Sequence, residues 1–456
     1  MTERTGIRGW LDATAVYRDR RVVVILFLGF SSGLPLLLTL STLSIWLARE
    51  GVDKTTIGLF ALAGLPYTLK FVWSPLVDRV NIPLLTRGLG RRRGWLIVTQ
   101  LALMASIVAL GNADPATDLA AMAWIALVVA FCSASQDIVV DAYRIDLLEE
   151  YQQGAGAATY MGGYRVAMLT SGAGALFLAD QMSWGAVYVI MALLITVGTI
   201  TVLLSPEPAG NGAAIAREDR ERAEAIRRSH PLLPAPLAGA AAWAQGAVID
   251  PFADFMRRQS WLVILLFILL YKFGDAFAGV MANPFYVEMG FTNTEIASVS
   301  KIFGLIATLG GVFLGGLFVT RYGAMRSLLV CGVLQMLSNL MFAVQAMVGY
   351  SVPMLTVTIA VENFTGGMAT AAFVAYLSGL CNLAYTATQY ALLTSFMAFG
   401  RTVLASSGGW MADHFDWVTF FVISTIVALP GLLLLWWMMH RGVTPQATAP
   451  ATDVPR

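Results

Sequence analysis

The chain has 456 residues, is 57% hydrophobic and only 12% charged, and carries a net charge of +1. Its charged fraction is about half that of a soluble domain, which excludes an ordinary soluble fold, and nothing in the net charge argues for a nucleic-acid partner. Cys132, Cys331 and Cys381 fall in or at the ends of apolar runs, with neither a disulfide framework nor zinc-ligand spacing, so no metal and no cofactor is expected.

Apolar runs long enough to cross a bilayer recur along the chain. They predict an all-α membrane protein of twelve transmembrane helices, at 22–48, 55–77, 94–112, 118–144, 155–180, 183–205, 260–288, 295–319, 325–348, 352–380, 386–409 and 416–440. The first run has no cleavage site and is expected to stay as a span. Pro35, Pro66 and Pro284 lie inside spans and predict kinks. Residues 206–258 form the one long connection. The expected organisation is an N-terminal six-helix bundle at 1–205, this linker, and a C-terminal six-helix bundle with a short tail at 259–456, by internal duplication. Within the linker, Ile215 to Arg228 predicts a charged helix. Residues 241–258, with Trp243, Phe252, Phe255 and Met256 beside Arg257 and Arg258, predict an interfacial one. Of the 29 basic residues, 22 fall on one side of the predicted topology, against Arg49 and Lys54 on the other. Both termini are therefore expected in the cytoplasm.

Corresponding loops of the two halves carry a tight, arginine-bearing turn. After the second span stand Asp78-Arg79 and Gly88-Leu-Gly-Arg-Arg-Arg93; after the eighth stand Arg321-Tyr-Gly-Ala-Met-Arg326. Both resemble the loop signature of the major facilitator superfamily, in which the loop latches the cytoplasmic side. The first is longer than the usual loop and the second lacks the acid. Asp78, Arg79, Arg144 and Arg321 are the gating candidates.

The stretch Ser133 to Arg144 continues an apolar run yet carries Gln136, Asp137, Asp141, Tyr143 and Arg144. Asp137, Asp141 and Arg144 follow i, i+4, i+7 and share one helix face, the two carboxylates rising about 6 Å along the axis. A carboxylate at a bilayer centre costs about 2.5–3.5 kcal/mol on insertion scales, so Asp137 and Asp141 are the proton-coupling candidates. Asp141 and Asp146 have a second reading, as latches onto Arg79 or Arg91 to Arg93.

Nine ionisable residues lie inside spans: Lys70, Asp137, Asp141, Arg165, Lys272, Asp275, Lys301, Glu362 and Arg401. Spans 3, 6, 9 and 12 have none, as expected if the others surround a wet cavity. No histidine is among the nine, so coupling falls to carboxylates, while surplus cations suit substrate carboxylates. Arg165, Lys272, Asp275, Glu362 and Arg401 are substrate-binding candidates, with Tyr67 and Tyr271 among the aromatics able to stack on sugar rings. Lys272 and Asp275, at i and i+3, also read as a pair that neutralises itself. Arg165 lies too deep to snorkel and needs an acid, with Asp137 nearest by depth; Lys70 is close enough to its span end to snorkel. Glycines such as Gly310, Gly311, Gly315 and Gly316 are expected at helix contacts.

An ordered set of motifs resembles the AmpG-type muropeptide permeases of the major facilitator superfamily. It comprises Gly29-Phe-Ser-Ser-Gly-Leu-Pro35, Leu65-Pro-Tyr-Thr-Leu-Lys-Phe-Val-Trp-Ser-Pro75, Gly90-Arg-Arg-Arg-Gly-Trp95 and Ser135-Gln-Asp-Ile-Val-Val-Asp-Ala-Tyr-Arg144. Tyr271-Lys-Phe-Gly-Asp-Ala276, Lys301-Ile-Phe-Gly304, Gly367-Met-Ala-Thr-Ala-Ala-Phe-Val374 and Tyr385-Thr-Ala-Thr-Gln-Tyr-Ala-Leu-Leu393 complete it. The resemblance implies proton-driven import of N-acetylglucosaminyl-anhydro-N-acetylmuramyl peptides across a bacterial inner membrane for peptidoglycan recycling, with an indirect part in β-lactamase induction. It places Gln136, Asp137 and Asp141 at the centre, with Gly29. The implied partners are a muropeptide substrate and the lipid bilayer, the chain acting as a monomer. Because the Gln-Asp-x-x-x-Asp core is shared with acetyl-coenzyme A transporters, another anion such as acetyl-coenzyme A or a sugar phosphate is the alternative. Phosphate substrates usually call for clustered arginines, and only Arg165 and Arg401 are deep. No span carries a nucleophile–base pair, so an enzyme is not expected.

Overall fold

Backbone amides inside a bilayer have no water to bond, so apolar runs satisfy them within helices. The computed structural model describes residues 14–443 except 53–55, 57–58, 116, 209–211, 231–233, 259, 293–294, 406–410 and 413. The described residues are mostly helical and contain no strand. In the first half the spans are α1 (Arg20–Arg49), α3 (Arg91–Gly111), α4 (Leu119–Leu147) and α6 (Trp184–Leu204), with the composite helices α2 (from Leu65 to Arg79) and α5 (from Gln153 to Ala179) between them. The second half holds α7 (Trp261–Glu288), α8 (Ser298–Tyr322), α9 (Ala324–Val348), α10 (Val352–Gly379) and α12 (Trp417–His440), with α11 (Thr386–Ala405). The nine helices of the first and third of these groups are each long and apolar enough to cross a membrane. Their ends lie within three residues of those expected from sequence.

α2 departs most from a regular helix. Pro66 and Pro75 each open a short helical piece, Leu65–Leu69 and Ser74–Arg79, joined by the tighter turn Lys70–Val72. α5 runs from Gln153–Leu169 through a wide turn, Thr170–Gly174, to Ala175–Ala179. α1 bends at Leu40, five residues beyond Pro35, and α7 breaks at Lys272.

Small residues bring the same helix pairs together in each half. A Cβ on Gly29 would fall on the Tyr160 carbonyl and one on Gly163 on the Leu26 carbonyl, joining α1 to α5. In the second half Gly311 meets the Phe364 carbonyl and Gly367 that of Thr308, joining α8 to α10. Gly311→Ala should cost about 1–3 kcal/mol of stability, because the carbonyl it meets is backbone and cannot swing away. Thermal unfolding in detergent should show it, whereas Gly239→Ala, into open space on a helix, should not lower the midpoint and should raise it slightly.

Between the halves lie the helices Gly212–Ser229, Ala235–Ala244 and Asp250–Met256. Arg222 pairs with Asp250 at 2.8 Å and so folds the first of them back on the last. Leu237, Val248, Ile249 and Met256 stay exposed along this segment.

Candidate functional site

A cavity of about 420 Å³ lies between the two halves. Its walls come from α1, α5, α7, α8, α9 and α10, in their middle and in the portions away from the end where Arg79, Arg91, Arg92, Arg93 and Arg258 gather. Arg165 and Met168 face it from the first half; Asn283, Tyr286, Thr308, Glu362 and Asn363 face it from the second. Its volume suits a small molecule.

Toward the arginine-rich end, α2 and α4 form a buried chain of charges. Lys70 Nζ is 3.6 Å from Asp141 Oδ2, and Arg144 Nη2 is 3.8 Å from Asp141 Oδ1. Lys70, Asp137 and Asp141 are each under 9% exposed and Arg144 is fully buried. The Arg144 guanidinium donates to Ser378 Oγ on α10 at 2.9 Å and lies over the rings of Tyr160 and Tyr390. Asp137 Oδ1 has no hydrogen-bond partner. The charges acting on Asp137 are those of Lys70 and Asp141, and the Tyr67 hydroxyl stands close by.

This arrangement corrects several expectations. Arg165 is not the cation beside Asp137: it lies on the cavity wall, and Lys70 takes that place. Lys70 does not snorkel, because the tight turn in α2 holds it against α4. Gln136 is fully buried against α1, donating to Ser32 Oγ at 3.5 Å and accepting from Ser31 Oγ at 3.4 Å, so it joins helices and does not reach the cavity. Gly29 is the point where α5 crosses α1, and its missing side chain serves that crossing. Tyr271 belongs to the core of the second half: its hydroxyl donates to the Leu328 carbonyl at 3.0 Å and its ring stacks on Phe373.

Lys272 and Asp275 form a 2.9 Å ion pair where α7 breaks. The pair sits behind the cavity wall, near enough to Glu362 to act on its charge. The side chains of Lys301 and Arg401 lie outside the described residues.

At the arginine-rich end the halves are joined by carboxylates at the start of α11. Asp78 accepts from the Ala387 amide at 3.2 Å, and from the Thr388 amide and hydroxyl at 2.8 Å each. Asp146 accepts from the Thr386 hydroxyl at 2.8 Å. Arg92 lies between the two acids, 2.9 Å from each, and is 2% exposed. The first amides of a helix lack intrahelical acceptors and carry its positive dipole end, so carboxylates there are doubly favoured. The linker fastens to the same place. Arg79 donates to the Gly246 carbonyl at 2.5 Å and lies over the Tyr385 ring. Gln389 donates to Asp254 at 2.8 Å, Asn382 does so at 3.1 Å, and Arg258 pairs with the same acid. Asp141 lies away from this cluster, with Lys70 and Arg144. Arg321 is at the exposed end of α8 with its guanidinium over Tyr322, and the group of the second half that meets Asp78 is the α11 N-terminus.

The described residues contain no cluster of metal-ligating side chains, and the cysteines are unpaired. The Major Facilitator Superfamily profile matches residues 22–343 and 263–455. An anhydromuropeptide permease of Escherichia coli (strain K12) is 41% identical over 422 residues, 92% of this chain and 80% of that protein. The putative transporter AmpG 4 of Rickettsia felis is 36% identical over 430 residues, 94% and 99% of the two chains. Among solved structures, the E. coli fucose:proton symporter FucP superposes with a TM-score of 0.64 at 12% identity, over 92% of this chain and 98% of that one. The proton:xylose symporter XylE does so at 0.61 and 13%, over 96% and 97%; these two likenesses are of fold alone. Two facing helical halves around a cavity, sealed at one end, are thus joined to a sequence match over almost the whole length: the chain is a transporter of the major facilitator superfamily and belongs to its AmpG-type permeases.

Proposed function

We propose that this protein imports anhydromuropeptides, with or without a stem peptide, from periplasm to cytoplasm for cell-wall recycling, coupled to protons and by alternating access. The observation that carries this reading is the 41% identity, over 92% of the chain, with a permease of that name. The arginine excess at the sealed end supports its lying in the cytoplasm, at a bacterial inner membrane with both termini inside. The cavity then faces the periplasm and the form described is outward-facing. The bundles 1–205 and 259–456 rock about the midplane, the linker 206–258 lying on the cytoplasmic side, in a monomer.

A proton enters through the cavity and settles on Asp137, whose Oδ1 has no donor. Passed to Asp141, one helical turn deeper, it cancels the charge that holds Lys70 and Arg144. Arg144 is bonded to α10 through Ser378, so altering its counter-ion alters a bond between the halves. Substrate carboxylates bind Arg165 on the cavity wall. When the carboxylates at α11 let go, the cytoplasmic end opens and proton and substrate leave. No step calls on a cofactor; the proton gradient supplies the energy.

Labelled anhydromuropeptide should accumulate in proteoliposomes bearing the purified protein when the outer face is acid, and only equilibrate without a gradient. Uptake of acetyl-coenzyme A or a sugar phosphate in its place would overturn the substrate assignment. A single described guanidinium in the cavity wall argues against such phosphates, which favour clustered arginines.

A further inference from the structure

Two charged groups stand among the described side chains of the cavity wall, and they come from opposite halves: Arg165 from α5 and Glu362 from α10. We propose that Glu362 is the specificity-determining residue for an ammonium group on the substrate's peptide, so that a substrate bearing both charges bridges the two bundles. The assignment rests on the muropeptide reading above and adds to it a preference for glycopeptides with a free amine over those without one.

The surroundings of Glu362 give it this task. Lys272, a cation on its own side that acts on its charge, is engaged by Asp275 at 2.9 Å, so that pair is neutral as a unit. No described residue forms an ion pair with Glu362. Asn363, next in the chain, is already occupied: it accepts from the Thr308 hydroxyl at 3.0 Å and donates to the Ile359 carbonyl at 3.1 Å. Asn283 and Tyr286 on α7 complete a polar wall fit for hydroxyl and acetamido groups, while Leu37, Met168 and Phe342 supply apolar surface. A partly buried carboxylate on a cavity wall gains more from a cationic ligand than one in open water does.

The split between halves has a mechanical meaning. A ligand whose carboxylate meets Arg165 and whose ammonium meets Glu362 is attracted to both walls, most strongly when they approach. It therefore favours the closed form over the open one, which is what a transported ligand must do. A bare disaccharide lacks the second charge and forgoes that differential.

The test uses the full-length protein in proteoliposomes and three ligands: the anhydro-disaccharide alone, the disaccharide with a peptide carrying a free amine, and the same glycopeptide with that amine acetylated. For wild type, KM for the free-amine glycopeptide should be lower than for the acetylated one by about ten- to a hundredfold, the range of a hydrogen bond to a charged group. Glu362→Gln should bring that ratio close to one, and Glu362→Asp should keep part of it. A wild-type ratio near one, or a ratio that survives Glu362→Gln, would overturn the assignment. Transport of the disaccharide with no preference between the glycopeptides would reject Glu362 while leaving the transport reading intact. Uptake of none of the three would overturn that reading and this assignment with it.

Discussion

Asp137→Asn should abolish gradient-driven accumulation while leaving exchange of substrate across the membrane measurable. With one proton per substrate, a gradient of one pH unit supports roughly tenfold accumulation, since a pH unit is worth about 1.36 kcal/mol. In the variant the ratio should fall to about one at every gradient. The amide matches the carboxylate in size, so the packing of α4 survives, but it cannot carry the proton. Counterflow of labelled against unlabelled substrate needs no proton and should persist. Asp141→Asn should behave differently. It strips Lys70 and Arg144 of the carboxylate between them and leaves buried cations unpaired, which is strongly destabilising. Full accumulation by Asp137→Asn would remove Asp137 from coupling.

A comparably large effect is expected of Asp78→Ala at the arginine-rich end. The carboxylate takes three hydrogen bonds from the start of α11 and pairs with Arg92. Removing one partner of a buried ion pair costs about 3–5 kcal/mol. If that cost falls on the closed form of the gate, the open form gains on the order of a hundredfold or more in population. Cys381 is a natural reporter, being 5% exposed within the α10–α11 turn and next to Leu380, whose carbonyl accepts from Arg258. In a Cys132→Ser, Cys331→Ser background, its labelling by a membrane-permeant maleimide should accelerate strongly in Asp78→Ala. An unchanged rate would show that Asp78 does not hold this end shut.

The helices were legible because a bilayer span is a length of apolar sequence and little else can imitate it. α2 was the hardest, since Pro66 and Pro75 break it into pieces whose orientation no periodicity reveals. The membrane charges were legible as positions but not as pairs. Depth alone matched Arg165 to Asp137, whereas the rotation of α5 turns Arg165 to the cavity and the tight turn in α2 brings Lys70 to α4. Gln136 and Gly29 stood out through resemblance, and both lie where α1 meets its neighbours. Thr386 and Thr388 stood in a motif, Tyr385 to Leu393, but nothing there marked their role: they bear no charge, and the groups that matter beside them are backbone amides freed by the start of a helix. Such donors exist only once the helix does, so no composition can announce them.

The strand of chain that joins the bundles is bonded to both, through Gly246 to Arg79 and through Asp254 to Gln389 and Asn382. It therefore acts as a hasp as well as a tether, and its grip is one of the weights that set how long the carrier dwells in each state. Selection on turnover speed can act there without touching a residue that meets substrate. Relatives with the same cavity but a different hasp would then cycle at different rates on the same cargo.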